Sequence, residues 1–330
     1  MPKSEPMGDL KHTINIAATR SGLSAHVIRV WEKRYTGIKP SRTSSNRRLY
    51  SESDIEKLRL LKQATDLGCR IAHVAHLEVS ELASLIARVH QDQSPEGSQP
   101  QAMEGQASSQ ISSADQAIDQ ILQAILLLDQ ERIEQLLEKS MVEFGHQGML
   151  CQVLAPLTRR MGEAWAAGRL TIPQEHAASA TIKSFLFSRL RSFGNAAAAP
   201  RLLVATPSDQ HHEIGAIMVA SLAANLGWKP VYIGASVPAQ EIASAAMQQS
   251  VHALALSLVY PHGDEQVIVD LESLRKALPD SIPILVGGQA LSSYRQILGQ
   301  IGAICCQSLG ELQQSLRTLQ STVLGRKRLP

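Results

Sequence analysis

The chain has 330 residues, enough for two or three domains, and 44% of them are apolar while only 4% are aromatic, a profile typical of Ala- and Leu-rich helical proteins. The formal net charge of +2 excludes a protein that binds nucleic acid through its overall charge, so any such surface must be a local basic patch. Nothing resembles a signal peptide, no apolar run reaches the length of a membrane span, and the four cysteines lack metal-ligand spacing, so we expect a cytoplasmic protein without a membrane partner.

Two short helices joined by a glycine are predicted near the start of the chain. Thr13 is expected to cap the first, Gly22 makes the turn, and the second runs from Ser24 to about Tyr35, which is typical of a helix-turn-helix. Basic side chains are usually a solvated surface, but here they concentrate on the second helix and the loop after it, as in DNA-binding domains. They are Arg29, Lys33, Arg34, Lys39, Arg42, Arg47 and Arg48.

Residues 12–77 closely resemble the MerR-type winged helix-turn-helix. The resemblance rests on the motifs Val30-Trp-Glu-Lys-Arg-Tyr35, Lys39-Pro-Ser-Arg-Thr43 and Arg47-Arg-Leu-Tyr50-Ser-Glu-Ser-Asp54. It implies that the second helix enters the major groove of double-stranded DNA and that the loop from Arg42 to Tyr50 is the wing. We expect Trp31 to pack in the core of this domain, assigned to residues 10–85. The implied DNA contacts, mostly with phosphates, are Arg29, Arg34, Arg42, Arg48 and Tyr50.

Beyond the wing, Ser53 and Asp54 are predicted to cap a helix from Ile55 to about Leu67. A flexible linker is predicted for residues 86–114, because from His90 onward Gln, Ser, Pro and Gly replace nearly all apolar residues.

A four-helix bundle is predicted for residues 115–196, from the helical spacing of apolar residues and the Ala/Leu-rich composition. Within it, Trp165 is followed after nine residues by Glu175-His176, in the first turn of a helix that begins near Thr171. From the residues alone, a buried Trp and a surface Glu–His pair remain the plainer alternative.

An α/β domain is predicted for residues 199–325. The apolar strand 201–205 is followed by a loop with His212 and then by a helix, so His212 lies at the carboxyl end of a strand, where open α/β sheets bind ligands. A neutral imidazole there suits a transition-metal ion, and Gln210 could hydrogen-bond its second nitrogen, although a loop histidine is more often simply solvated. Gly215 removes a side chain where the loop becomes the helix.

Two further strands end in Ser257 and in Gly287-Gly288, and together with Gln210, His212 and Gly215 they resemble the Rossmann-like cobalamin-binding domain of methionine synthase, corrinoid carriers and cobalamin-dependent transcription factors. The resemblance implies that His212 is the lower axial cobalt ligand. It also implies that the displaced nucleotide tail passes Ser257 into a slot beside Gly287 and Gly288, where side chains would fill the space.

Two further points concern the ligand itself. The family has an acid where this chain has Gln210, so we expect the amide oxygen to orient a less basic His212. His211 is the alternative ligand, which the spacing to Gly215 disfavours.

The Trp165 and Glu175-His176 pattern is similar to that of the CarH/LitR light-sensing regulators, whose order of domains the whole chain matches. The resemblance implies that Trp165 packs on the 5′-deoxyadenosyl group of adenosylcobalamin, that Glu175 hydrogen-bonds it and that His176 lies beside it. Members that trap a stable light product have His directly after the Trp, where this chain has Ala166. The group that occupies the upper site after photolysis stays open between His176, His146 and water.

The resemblance implies a multidomain, light-responsive transcriptional repressor rather than an enzyme. A dark homo-oligomer, expected to be a tetramer, binds operator DNA, and light cleaves the cobalt–carbon bond and releases it. A light-independent cobalamin-sensing or apo MerR-type regulator is the alternative, which Ala166 and Gln210 favour. A corrinoid methyl carrier is more distant, because no clustered Cys and His suggest a substrate-activating zinc site.

Overall fold

The computed structural model describes residues 11–23, 25–35, 38, 40–43, 47–67, 69, 71–91, 104–190, 199–260 and 262–326. They form two compact units, one drawn from residues 1–123 and 135–154 and the other from residues 124–134 and 155–330. No helix within the described ranges is long and apolar enough to cross a membrane.

The first unit begins with short helices and a two-stranded antiparallel sheet. Strand β1 pairs Ser41 with Leu49 of β2, which forms the predicted wing, and Gly22 ends the first helix in the left-handed conformation at φ 73°. Ser24, the predicted start of the second helix, lies outside the described residues. The elements are α1 (Ile14–Ser21), α2 (Ala25–Tyr35), β1 (Ser41–Arg42), β2 (Arg48–Leu49), α3 (Glu52–Asp66), α4 (Ile71–Val74) and α5 (Val79–Gln91).

The start of α3 differs from the prediction by a few residues. Ser51, rather than Ser53, is the N-cap: its hydroxyl accepts the Asp54 backbone N–H at 3.1 Å, and the Asp54 carboxylate accepts the Ser51 N–H at 2.9 Å. This reciprocal pair is a capping box, which needs the acid three residues after the capping serine. Asp54 was therefore correctly placed in the cap, while the serine was not.

Further helices follow along the chain: α6 (Glu104–Leu126), α7 (Gln130–Gly148), a π-helical segment (Met149–Leu154), α8 (Ala155–Ala166) and α9 (Ile172–Leu190). Most of α6 and α7 and the π-helical segment belong to the first unit, and α8 and α9 belong to the second. The predicted linker is helical at both ends, because α5 continues through Gln91 and α6 begins at Glu104; residues 92–103 lie outside the described ranges. Helix α7 is kinked at Gly145, where the backbone leaves the helical region at φ 70°.

The core of the first unit joins the winged helix-turn-helix to α7. Trp31 is almost fully buried, as predicted, and its indole N–H donates to the Val142 carbonyl oxygen at 3.2 Å. Val142 itself belongs to the same cluster of buried apolar side chains as α1 to α5. The hydrophobic core of the DNA-binding domain is therefore completed by a helix more than a hundred residues further along the chain.

The carboxyl-terminal part of the second unit is a five-stranded parallel sheet with the strand order β4-β3-β5-β6-β7. The chain moves from β3 to β4 on one side and then to β5 on the other, so the switch point lies between β3 and β5. Helix α9 packs against α10 on this domain. The elements are β3 (Arg201–Ala205), α10 (Ile214–Asn225), β4 (Lys229–Tyr232), α11 (Ala239–Gln248), β5 (Ala253–Ser257), α12 (Glu265–Ala277), β6 (Ile284–Gly287), a 3-10 helix (Leu291–Tyr294), α13 (Arg295–Gln300), β7 (Ile304–Cys306) and α14 (Leu309–Arg326).

The indole hydrogen bond of Trp31 gives a stability prediction. Replacing Trp31 with Phe should lower the free energy of unfolding by about 1 kcal/mol more than Trp228→Phe, because it removes a hydrogen bond as well as ring volume. Trp228 is the matched control, since it is equally buried but its indole N–H has no partner within the described residues. Urea unfolding followed by circular dichroism measures both, and equal losses would show that the bond contributes nothing.

Candidate functional site

One carboxylate organises the surface that the sequence assigns to DNA. Glu32 on α2 accepts the Arg48 Nε–H with both oxygens, at 2.9 and 2.7 Å, and the Tyr50 hydroxyl donates to it at 3.3 Å. Arg42 Nη2 lies 4.0 Å from the same carboxylate. Glu32 therefore connects the wing with α2 through hydrogen bonds. The sequence did not indicate this role, because Glu32 lies among basic residues.

The five residues predicted to contact DNA fall into different environments. Arg29 on α2 and Arg42 on β1 are exposed, and Arg48 is half-buried against Glu32; the side chain of Arg34 lies outside the described residues. Tyr50 is a correction: it is fully buried, so it supports the wing from the core rather than forming part of the surface. Burial and the charge of Glu32 raise the pKa of Tyr50 to about 12.

The second candidate site lies at the carboxyl edge of the parallel sheet. The loop after β3 carries an exposed His212, and Ser257 at the end of β5 is in register with Gly287 at the end of β6. The sequence placed these residues on separate strand ends, and the parallel order brings the ends of β3, β5 and β6 to one edge. Within the described residues, no group of three or more His, Cys, Asp or Glu side chains could hold a metal ion.

Two glycines near the carboxyl ends of the parallel strands leave no room for a Cβ atom. A Cβ atom at Gly215 would lie 2.8 Å from the Ser257 hydroxyl oxygen. At Gly288, where φ is 112°, it would lie 2.1 Å from the carbonyl oxygen of Leu258. The predicted slot lies beside Gly287 and Gly288, and Gly215 was predicted only at the start of the helix. In the structure Gly215 lets α10 approach the end of β5, and Gly288 lets the chain after β6 approach the backbone after β5.

Gln210 does not use its amide oxygen as predicted. The side chain is buried, and the oxygen accepts the backbone N–H groups of Val259 at 2.8 Å and Tyr260 at 3.1 Å. Both of its lone pairs are thereby used, so the oxygen has no capacity left to orient the His212 imidazole. The backbone N–H groups beyond β5 need an acceptor, and the buried amide supplies it.

Tyr260 is a neighbour of His212 that no sequence motif indicated. Its ring packs edge-on to the imidazole of His212, with the ring centroids 6.4 Å apart, and His262 packs on it in the same way at 6.2 Å. Because Gln210 holds the backbone of Tyr260, it acts on the surroundings of His212 through this loop.

The structure contradicts one part of the plainer alternative, the buried Trp, and agrees with the other, a Glu–His pair at the surface. Trp165 on α8 is 54% exposed rather than buried, so its indole ring is open to a ligand. Glu175 and His176 in the first turn of α9 form a hydrogen-bonded pair at 2.7 Å, and the Ser179 hydroxyl donates to the second oxygen of Glu175 at 2.6 Å. These contacts hold the Glu175 carboxylate in place.

These residues fit a corrin cofactor chemically. An exposed imidazole can offer a ring nitrogen to a metal ion, and one such ligand would be enough for a cofactor that brings its own metal. Gly215 and Gly288 allow the chain segments at the sheet edge to pack closely. The exposed Trp165 provides a flat aromatic surface for a ligand.

Comparison with protein-family models assigns all three regions. Residues 12–80 match the MerR HTH family regulatory protein model, and residues 117–187 and 200–314 each match a B12 binding domain model. The predicted fold class, a MerR-type helix-turn-helix followed by a helical region and a Rossmann-like sheet, is thereby confirmed.

Two curated proteins of Myxococcus xanthus are similar over most of the chain. The HTH-type transcriptional repressor CarH is 30% identical over 88% of this chain and 93% of its own length, and the HTH-type transcriptional repressor CarA is 27% identical over 91% and 94%. The monomethylamine corrinoid protein of Methanosarcina barkeri has a similar fold, with a TM-score of 0.50 and 16% identity over 62% of this chain and 99% of its own.

The close contact at Gly288 gives a test of the site's architecture. Gly288→Ala should destabilise the protein by about 2 kcal/mol or more, because the methyl group meets backbone atoms and the left-handed conformation adds strain. Gly299→Ala is the matched control, since a Cβ there meets nothing within 4 Å. Thermal unfolding separates the two variants, and a tolerated Gly288→Ala would mean that the loop can move aside.

The basic surface gives a second prediction. Arg29→Ala should weaken binding to a mixed-sequence DNA duplex and reduce the slope of log affinity against log salt by about one, as expected for one lost phosphate contact. Arg59→Ala, which removes another exposed arginine, paired with Glu56 on α3, should leave the slope unchanged. Tyr50→Phe should also leave it unchanged, because Tyr50 is buried. A normal slope for Arg29→Ala would remove Arg29 from the DNA interface.

Proposed function

Since this chain belongs to the family of HTH-type transcriptional repressors that includes CarH and CarA, we propose that it represses transcription in the dark with adenosylcobalamin bound and that light releases it from DNA. It is a cobalamin-binding transcriptional repressor and not an enzyme. The adenosyl form of the cofactor, the light response and the tetrameric state are the proposed parts.

The observation that carries the proposal is the course of α9. Its first turn holds Glu175 and His176, and its body packs against α10, which directly follows the loop of His212. One helix thus connects the residues assigned to the upper face of the cofactor with the loop assigned to the lower face. The exposure of Trp165 on α8 supports the same arrangement.

The proposed roles follow from the chemistry of each side chain. His212 would hold the cobalt, and the strand ends at Ser257, Gly287 and Gly288 would lie beside the cofactor. Trp165 would pack on the adenosyl group and Glu175 would accept hydrogen bonds from it, with His176 adjacent. Adenosylcobalamin supplies a cobalt–carbon bond that light cleaves. Gln210 and Gly215 complete the proposed set by shaping the loop that carries His212.

Repression is proposed to depend on assembly in the cytoplasm. Several winged helix-turn-helix domains in one tetramer would bind DNA together, and avidity would multiply the weak phosphate contacts of each domain. Loss of the adenosyl group removes the contacts of Trp165 and Glu175. For light to act as a switch, the intact cofactor must bind the assembled state more tightly than the photoproduct does.

A second candidate is a regulator that senses cobalamin without light. Two observations favour it: Ala166 offers no imidazole after Trp165, and the oxygen of Gln210 is bound to the backbone rather than available to His212. Such a protein would bind cobalamin and DNA but would not change its assembly when illuminated.

The two candidates are separated by one experiment. Purified protein mixed with adenosylcobalamin is examined by absorption spectroscopy and size-exclusion chromatography, in darkness and after green light. We expect a spectral change with a matching fall in size and in DNA affinity. A bound cofactor whose photolysis leaves size and DNA affinity unchanged would favour the light-independent regulator, and failure to bind any cobalamin would reject both.

His212 is tested in the same assay. His212→Ala should abolish the absorption spectrum of histidine-ligated cobalamin and weaken binding about tenfold or more, because the axial ligand is lost. His211→Ala is the matched control, as the neighbouring residue is also an exposed histidine of the same loop. A normal spectrum for His212→Ala together with an altered spectrum for His211→Ala would show that His211, not His212, is the ligand.

A further inference from the structure

Glu213 directly follows His212 and stands at the amino-terminal end of α10. The shorter side chains of Ser, Thr, Asp and Asn commonly cap a helix by accepting its free backbone N–H groups. The longer Glu213 side chain makes no capping hydrogen bond. Its carboxylate instead contacts two other elements.

The first of these contacts joins Glu213 to α9. Lys183 Nζ donates to Glu213 Oε1 at 2.8 Å, and both side chains are only about a third exposed or less. Glu213 is therefore bonded to the helix whose first turn holds Glu175 and His176. Because Lys183 lies two turns after Glu175, these residues are about 12 Å apart along one rigid helix.

The second contact joins Glu213 to the sheet. The Tyr232 hydroxyl at the end of β4 donates to Glu213 Oε2, and the Tyr232 ring packs against Phe187 with ring centroids 5.7 Å apart. Phe187 lies one turn after Lys183 on α9, so one face of the helix contacts both Glu213 and Tyr232. We name Lys183, Glu213 and Tyr232 the Glu213 clamp.

The hydrogen bonds of the clamp also shift the pKa values of two of its members. Burial by itself would raise the pKa of Glu213, but the hydrogen bonds from Lys183 and Tyr232 outweigh it and lower the pKa. Burial and the hydrogen bond to Glu213 together raise the pKa of Tyr232.

We propose that Glu213 is a positioning residue for His212: by fastening the end of the His212 loop to α9 and β4, the clamp fixes the imidazole relative to the helix that carries Glu175 and His176. This inference rests on the proposed cobalamin site. By this inference Glu213, the residue after the proposed ligand, sets the distance between the loop of His212 and the first turn of α9.

The test measures cobalamin affinity and the absorption spectrum that reports histidine ligation. Glu213→Gln keeps the shape and an acceptor oxygen for Tyr232 but loses the charge that holds Lys183. We expect about fivefold to tenfold weaker binding of adenosylcobalamin, with part of the bound cofactor losing the histidine-ligated spectrum. Lys183→Met should give the same result, and Lys183→Arg should restore much of it because the cation is retained.

A comparison in the His212→Ala background separates positioning from a general structural role. If Glu213 acts through His212, Glu213→Gln should cause no further loss of affinity once the imidazole is absent. An equal loss in both backgrounds would overturn the proposal. Lys62→Met is the matched control, because Lys62 also forms a partly buried lysine–carboxylate ion pair, with Asp66 on α3, and is not part of the clamp.

The outcomes also separate this inference from the function it rests on. A wild-type protein that binds no cobalamin would reject the cobalamin site itself. A wild-type protein with a His212-dependent spectrum, together with a folded Glu213→Gln variant of unchanged affinity and spectrum, would reject the clamp alone. Circular dichroism of each variant establishes that it is folded before binding is measured.

Discussion

The start of α10 approaches the end of β5 so closely that a methyl group at Gly215 would lie 2.8 Å from the Ser257 hydroxyl oxygen. A similar contact seats Gly288 on the backbone after β5. These two contacts allow the start of α10 and the segments after β5 and β6 to pack closely at the sheet edge, where the loop of His212 ends. The buried Gln210 adds hydrogen bonds to the same region, so steric and polar constraints act on one short loop.

Each of the two functional regions depends on a single carboxylate that joins separate elements. Glu32 binds Arg48 and Tyr50 and so connects the wing with α2, while Glu213 connects α9 with β4. Both carboxylates are partly buried, where a hydrogen bond to a charged group contributes more than it does in open water. In both cases the residue that orients the site lies beside the residue expected to contact the ligand.

The sequence predicted the elements better than it predicted the contacts. Apolar periodicity and strand ends located β3, β5, β6 and the loop of His212, because these are local patterns. The roles of Tyr50 and Gln210 depended on partners elsewhere in the chain, Glu32 and the backbone of Val259 and Tyr260, which no local pattern indicates. The capping serine of α3 was misassigned because Ser51 and Ser53 both precede Asp54 within three residues. Trp31 was correctly placed in the core, but its partner on α7 could not be foreseen.

The hydrogen bond between Trp31 and Val142 affects how the DNA-binding domain can be prepared as a fragment. A fragment ending at Gln91 would retain all of α1 to α5 yet lose the stretch of α7 that covers the indole ring. In such a fragment the apolar side chains that pack against Val142 would be exposed to solvent, and the Trp31 indole N–H would have to donate to water. The exposed apolar surface would promote aggregation, and aggregation would be easily mistaken for weak DNA binding. The smallest piece with an intact interior is discontinuous in sequence, so dissection of this repressor by point substitution is more informative than dissection by truncation.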